Sequence, residues 1–404
     1  MSTHTVQPSG RQVALTQRRR MKMADSAHAY VRGSTARFYE WLTSLESSAL
    51  PHGPAVWICG DCHIGNLGPV ANADGEVEIQ IRDLDQTVIG NPAHDLVRLS
   101  LSLAMAARGA DLPGVTTALM IEQVMSGYRH ALLHRPMRVK EDDVEPVHIV
   151  MKEALNRKWR HLAEERIEDV RPQIPLGKRF WELSKKERLE IERLFDEEEV
   201  RKLVTCLKSR DDGDKVTVYD AAYWMKGCSS LGRLRYAVLA GVGTRKQTKR
   251  HSSRLCLIDI KEAAKAAAPQ ARDAAMPHNN AERVVAGARA LSPFLGERML
   301  ASQFDGRAVV LRELRPQDLK FEMETLTQKE AIAAAHLFAG VVGRAHARQM
   351  DKQTREIWAA DLTQKRSKTL DAPSWLWTSV VDLVSIHEAA YLDHCRLYAL
   401  GKAA

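Results

Sequence analysis

Five polar residues in the first quarter of the chain, Asp61, His63, Asn66, Asp83 and Asp85, are of the types that bind a divalent cation and move a proton. Carboxylates and an amide supply hard oxygen ligands. Magnesium is usually held by one or two carboxylates, with substrate phosphates and water completing its shell. A carboxylate or an imidazole can also act as general base. Asp and Asn equally favour turns by bonding their own backbone, so each residue taken singly reads as well as a turn former. The same stretch, Cys59-Gly60-Asp61-Cys62-His63, also fits the haem-attachment pattern C-x-x-C-H and the redox pattern C-x-x-C. Haem attachment needs export, of which the N-terminus gives no sign. A redox pair would open a helix, which Ile64-Gly65-Asn66-Leu67-Gly68-Pro69 cannot do. Zinc would need a second cysteine pair nearby. Both patterns read as coincidence.

The elements that position these residues follow from hydrophobic patterning. Val56–Cys59 reads as a short apolar strand that delivers Asp61, His63 and Asn66 into a loop. A Gly/Asn/Asp turn leads to a strand pair ending in Asp83 and Asp85. Gly90-Asn91-Pro92 then turns the chain into an apolar helix from Asp95 to Ala110, and Gly114–Leu133 reads as another helix. Polar groups at strand ends and loops of a rigid scaffold are well placed to meet a ligand.

Three ordered segments, GDCHIGN, IRDLD and GNPAHDL, carry a resemblance. The block resembles the aminoglycoside-phosphotransferase-like branch of the protein kinase fold, which has a Gly-Asp-x-His-x-x-Asn loop, an Ile-Asp-x-Asp/Glu strand and a Gly-x-Pro-x-x-Asp-Leu helix start. One departure is Cys59, where such phosphotransferases usually carry histidine. The resemblance implies ATP and Mg2+, with Asp61 as base, Asn66 and Asp83 as metal ligands and Asp85 as a second metal contact. His63 would line the acceptor site or brace the loop. Asp95 would bond the backbone of the catalytic loop, a role compatible with a plain helix N-cap.

The remaining kinase-like parts are found downstream. Gly227-Cys228-Ser229-Ser230-Leu231-Gly232 approximates a glycine-rich phosphate loop, with Ser229 at the middle glycine. Lys261 ends the apolar strand Leu255–Glu262, as the lysine that binds the α/β-phosphates does. Glu282, on a helix from Asn279 to Leu295, would pair with it, with Glu297 as rival. A hairpin turned at Asp305-Gly306, a hinge at Arg312–Pro316 and a long helix from Gln328 to Met350 complete the set. Metal-binding segments thus precede nucleotide-binding ones, the order left by circular permutation, which chains tolerate when the new cut falls at the surface. The expected fold class is α+β: a two-lobed protein-kinase-like fold, circularly permuted, with a small β-rich lobe and a larger helical lobe. The segments would be a flexible basic tail (1–20), a catalytic segment (21–134), a charged helical insertion or linker (135–210), a nucleotide-binding segment (211–316) and a closing helical segment (317–404).

Composition agrees with such an enzyme. Of 404 residues, 45% are hydrophobic and 27% charged, ordinary for a globular protein with ample core. The net charge of +8 suits an anionic partner such as a nucleotide. No stacking-aromatic motif accompanies the basic residues, which weighs against nucleic acid. Six scattered cysteines argue for a reducing compartment, the cytoplasm. No apolar run approaches the ~20 residues of a membrane span. From Arg32-Gly33 through the Asp-x-Asp strand and Lys-Glu-Ala to the Ala-His-Ala-Arg helix, the chain also resembles the bacterial family called domain of unknown function 2252. That family implies a kinase-like fold and brings no substrate. The expected function is therefore phosphotransfer from ATP to a small-molecule or protein hydroxyl. The alternatives are a nucleotide-binding pseudokinase scaffold or an AMP transferase on the same fold.

Overall fold

The computed structural model describes residues 6–46, 49–135, 144–167, 173–211, 213–227, 231–243, 254–319, 326–364 and 372–399. Helix α1 (Pro8–Ala24) has proline in its first turn, where a missing N–H costs nothing. The Ser26 hydroxyl caps α2 (Ala27–Gly33), and α3 (Thr35–Ser44) follows after one residue. Next come β1 (Val56–Ile58), β2 (Leu67–Ala71), β3 (Val77–Ile81) and β4 (Val88–Gly90). Strand β1 pairs antiparallel with β4, and β2 with β3. Helices α4 (Ala93–Gly109), α5 (Gly114–Leu132), α6 (Glu145–Asn156) and α7 (Trp159–Ile167) precede β5 (Phe180–Trp181), α8 (Lys185–Asp196) and α9 (Glu198–Thr205). Three long strands follow, β6 (Val216–Trp224), β7 (Arg235–Val242) and β8 (Leu255–Glu262). Then come α10 (Asn280–Leu291), the short α11 (Pro293–Gly296), β9 (Met299–Phe304) and β10 (Arg307–Leu314). Helices α12 (Gln328–Ala347), α13 (Lys352–Asp361) and α14 (Ser374–Tyr398) close the chain.

The architecture is mixed α+β, built on one six-stranded antiparallel sheet of order β5-β6-β7-β8-β10-β9. Side chains alternate between its faces with period two. One face, with Tyr236, Val238, Ile258, Ile260 and Leu311, packs against Ile191, Leu194, Phe195 and Val204 of α8 and α9 and Leu15 of α1. The other face is apolar at one end, where Leu239, Leu257 and Leu314 meet Trp159 and Leu162 of α7. At its other end it carries charges. The register sets Arg235 opposite Lys261 and Arg312 opposite Asp259. The β9–β10 turn places Asp305 and Gly306 at φ 49° and 75°, the left-handed pair a two-residue hairpin requires.

A second core unites the helices with β1–β4. There α5 and α12 cross with their backbones almost touching. A Cβ on Gly127 would lie 2.0 Å from the His336 carbonyl oxygen, and one on Gly343 would lie 2.7 Å from that of Tyr128. Among the described residues no helix is long and apolar enough to cross a membrane.

Two sequence expectations need correction. The flexible tail over 1–20 is instead largely the helix α1, because Leu15 is buried in the sheet core and the buried Arg11 guanidinium bonds Glu187 at 2.6 Å. The described part of the charged 135–210 segment carries the helices α6–α9 and the strand β5, which extends the sheet edge, and Trp159 and Trp181 are buried. Helix α4 begins at Ala93, not Asp95, so Asp95 sits in the first turn with its side chain free to reach elsewhere.

Candidate active site

Asp95 is completely buried and faces the start of the Asp61 loop. The Cys59 N–H donates to its Oδ2 at 2.7 Å and the Gly60 N–H to its Oδ1 at 3.0 Å. A carboxylate accepting two backbone N–H groups is a strong, directional anchor. Its far side is braced by a buried chain. His346 Nε2 lies 3.2 Å from Oδ2, the Tyr128 hydroxyl meets His346 Nδ1 at 3.0 Å, and Trp358 Nε1–H donates to that hydroxyl at 3.1 Å.

The loop so held presents Asp61. Arg98, one turn beyond Asp95 on α4 and 0% exposed, donates from Nε to Asp61 Oδ1 at 2.9 Å. The Thr35 hydroxyl donates to Oδ2 at 2.9 Å. The Asn66 amide donates to the Asp61 carbonyl at 3.0 Å, and the Asn66 carbonyl accepts the Arg82 N–H at 2.7 Å, lacing the loop to the end of β3. Burial pushes the Asp61 carboxyl up, and Arg98 and Thr35 only partly pull it back. His63 is buried, with Nε2 4.0 Å from Asp61 Oδ2. Burial, then Arg32 and Arg98, hold its pKa well below the ordinary range, so its ring is neutral.

Asp83 and Asp85, just past β3, meet β8 of the sheet. Lys261 Nζ lies 3.3 Å from Asp83 and contacts Asp85 closely. Below Lys261, Arg235 grips the buried Asp259 with two bonds of 2.8 and 2.6 Å, and Arg312 approaches the same carboxylate at 3.4 Å. Burial works to raise the Asp83 carboxyl, but Lys261, Arg312 and Arg235 outweigh it and hold it well below the usual carboxylate range. Its side chain keeps 41% of its surface exposed, which favours the cations over burial as the controlling influence. Asp85 goes the other way, raised by burial and then by the neighbouring Asp83 charge.

These groups open on one cleft of about 130 Å³, lined by Thr35, Asp61, Asn66, Asp83 and Asp85 together with the cations Arg19, Arg233 and Lys265. Three carboxylates and three cationic side chains thus converge from α1, the Asp61 loop, the end of β3, the turn before β7 and the chain after β8. Gly227 and Gly232 take φ of 89° and 101°, which favours glycine at both places, and α1 lies over them through a Lys22 Nζ bond of 3.0 Å to the Gly227 carbonyl. Ser229 lies outside the described residues. Glu282 is exposed in the first turn of α10 and faces away from Lys261, whose carboxylate partners are Asp83 and Asp85. Its neighbour Arg283 points inward instead, donating to the carbonyls of Asp85 and Ala264 at 3.0 and 2.9 Å and to that of Thr87. Glu297 receives the Ala73 N–H at 2.6 Å, far from any role beside Lys261. In the hinge, the Arg315 N–H donates to Asp318 at 3.2 Å and the Glu313 carbonyl accepts from Arg298 at 2.9 Å, so both backbone groups already have partners. Among the described residues no group of three or more His, Cys, Asp or Glu is arranged to hold a metal ion unaided.

The model of one family, described as "Uncharacterized protein conserved in bacteria (DUF2252)", matches residues 11–397. The chain belongs to the DUF2252 family. No curated protein and no solved structure matches it.

Several residues that build the site in this DUF2252 protein escaped the sequence reading. Arg98 had a visible signal, since it is the one charge within the run Leu96–Ala107 and stands three residues after Asp95. Asp259 lies two residues before Lys261 and so shares its face of β8, a signal present in the strand period. His346 stood in the Ala-His-Ala-Arg segment without a role assigned to it, and Thr35 and Arg283 carried no signal, because their importance arises only from contacts across the fold.

Proposed function

We propose that this DUF2252 protein is a magnesium- and ATP-dependent phosphotransferase of permuted kinase-like architecture, acting on a hydroxyl of a small molecule or a protein. The observation that carries the reading is the meeting of Lys261 with Asp83 across 178 residues of sequence: Asp83 lines the cleft that also holds Asp61 and Asn66, and Lys261 lies behind it beside Asp259 and Arg312. Supporting it are the Asp95 bonds to the loop backbone and the chain order of glycine turn, lysine strand, helix and hairpin within one sheet. A carboxylate-and-amide set that is incomplete alone suits magnesium, whose remaining ligands come from phosphates. Asn66 and Asp83 would hold the ion, with Asp85 beside them. It would neutralise charge on the transferred group. Lys261, Arg233, Lys265 and Arg19 supply cations for the phosphates, and Asp61 accepts the proton of the attacking hydroxyl. Transfer of this kind depends mainly on positioning and charge, which a fixed site supplies.

A scaffold that binds nucleotide without transferring phosphate is the second reading. It draws on Glu282, which faces solvent where a kinase glutamate would pair with the lysine. ADP release from ATP, with water as default acceptor, distinguishes the two. Phosphotransferase chemistry predicts Mg2+-dependent ADP release that Asp61→Asn abolishes. Binding with no release in wild type would favour the scaffold, and no binding would reject both.

A further inference from the structure

The acceptor position beside Asp61 is already filled by a hydroxyl of the chain itself. Thr35, the first residue of α3, directs Oγ1 to Asp61 Oδ2 at 2.9 Å, while Arg98 occupies Oδ1. Arg98 therefore turns the second oxygen, the one able to take a proton, toward Thr35. The residue is buried yet lines the same cleft as Asn66, Asp83, Asp85, Arg233 and Lys265.

We propose that Thr35 is a self-acceptor: the protein phosphorylates this hydroxyl in cis from a nucleoside triphosphate bound in its own cleft. This rests on the phosphotransferase reading above and adds an acceptor to it. Asp61 Oδ2 takes the hydroxyl proton as Oγ1 bonds to the γ-phosphorus. The bond from that phosphorus to the bridging oxygen breaks, and the nucleoside diphosphate leaves with the electron pair. The product would sit where a phosphate is tolerated. The start of a ten-residue helix favours negative charge, and Arg19 reaches this junction, with one guanidinium nitrogen on the Gly33 carbonyl at 2.9 Å and its buried Nε without a hydrogen-bond partner.

The test is peptide-mapping mass spectrometry of the full chain after incubation with Mg2+ and ATP, paired with calorimetry of ATP-analogue binding. The expected result is a single phosphate on Thr35, appearing at a rate unchanged by dilution. It should be retained in Thr35→Ser and lost in Thr35→Ala, with the analogue bound by the wild type. If the analogue binds and Thr35 stays unmodified, or is modified only in proportion to protein concentration, the self-acceptor is wrong and the phosphotransferase reading survives with another acceptor. AMP on Thr35 would overturn the step as written. Failure of the analogue to bind would overturn both.

Discussion

The two walls of the cleft are built on opposite principles. On the Asp61 wall every charge is buried and bound by protein groups: Asp95 by two backbone N–H groups and His346, Asp61 by Arg98 and Thr35. On the Asp83 wall Asp83 is well exposed and Arg233 and Lys265 line open space, while the buried Lys261 sits behind, shared by the carboxylates of Asp83 and Asp85. Buried ion pairs are costly to break because the survivor is left uncompensated in a poor dielectric. Exposed ones contribute little. The first wall is thus a device for holding geometry, and the second is charge kept available for a ligand.

That contrast can be broken in order of expected effect. Arg98→Ala strips Asp61 of its buried partner and should destabilise the protein by about 3–5 kcal/mol, read from denaturant unfolding. A loss under ~1 kcal/mol would mean the Asp61 wall is not rigid by this means. Gly127→Ala, away from both walls, forces apart the α5–α12 crossing that carries the Tyr128–His346 brace. Overpacking against backbone should cost about 1–3 kcal/mol. Lys261→Ala should cost less than Arg98→Ala, about 1–2 kcal/mol, since the exposed Asp83 keeps water and the charge of Arg312 while the less exposed Asp85 loses its cation. A loss as large as that of Arg98→Ala would erase the distinction between the walls.

A further effect is one of pH. His387 and His28 titrate at about 4 in the folded protein because of burial first and then nearby arginines, Arg98 among them. In the unfolded chain both titrate near 6.5. Between these values the unfolded state binds more protons, so the stability they confer is complete above pH 6.5 and lost as pH falls toward 4. Melting temperature should decline across that window, and His387→Asn should flatten the decline. A variant with the wild-type slope would remove His387 from the account.

How legible this was depended on distance along the chain. Asp61 and Asn66 are five residues apart in one loop, and Asp83 follows a strand by two residues, so their spacing, through the resemblance to a kinase-like motif, brought them forward. Lys261 could be placed on its strand by pattern, but its partners could not. The helix carrying Glu282 was readable as a helix, yet its phase turns Arg283 inward and Glu282 to solvent, a choice made by packing on the 85–87 segment. Thr35 belonged to no motif in the chain, and only folding carried its hydroxyl to Asp61. Residues 1–20 read as a tail because they are mostly polar and end in Arg18-Arg19-Arg20. Their few apolar residues, Leu15 foremost, nevertheless find the sheet.

The most direct test of the shared site is calorimetry of ATP binding, with and without Mg2+, to the wild type, Asp83→Ala and Lys261→Ala. The account predicts binding that requires Mg2+ and weakens by at least about ten-fold in each variant, a loss of ~1.4 kcal/mol. Wild-type affinity in both variants, or no binding by the wild type, would contradict it.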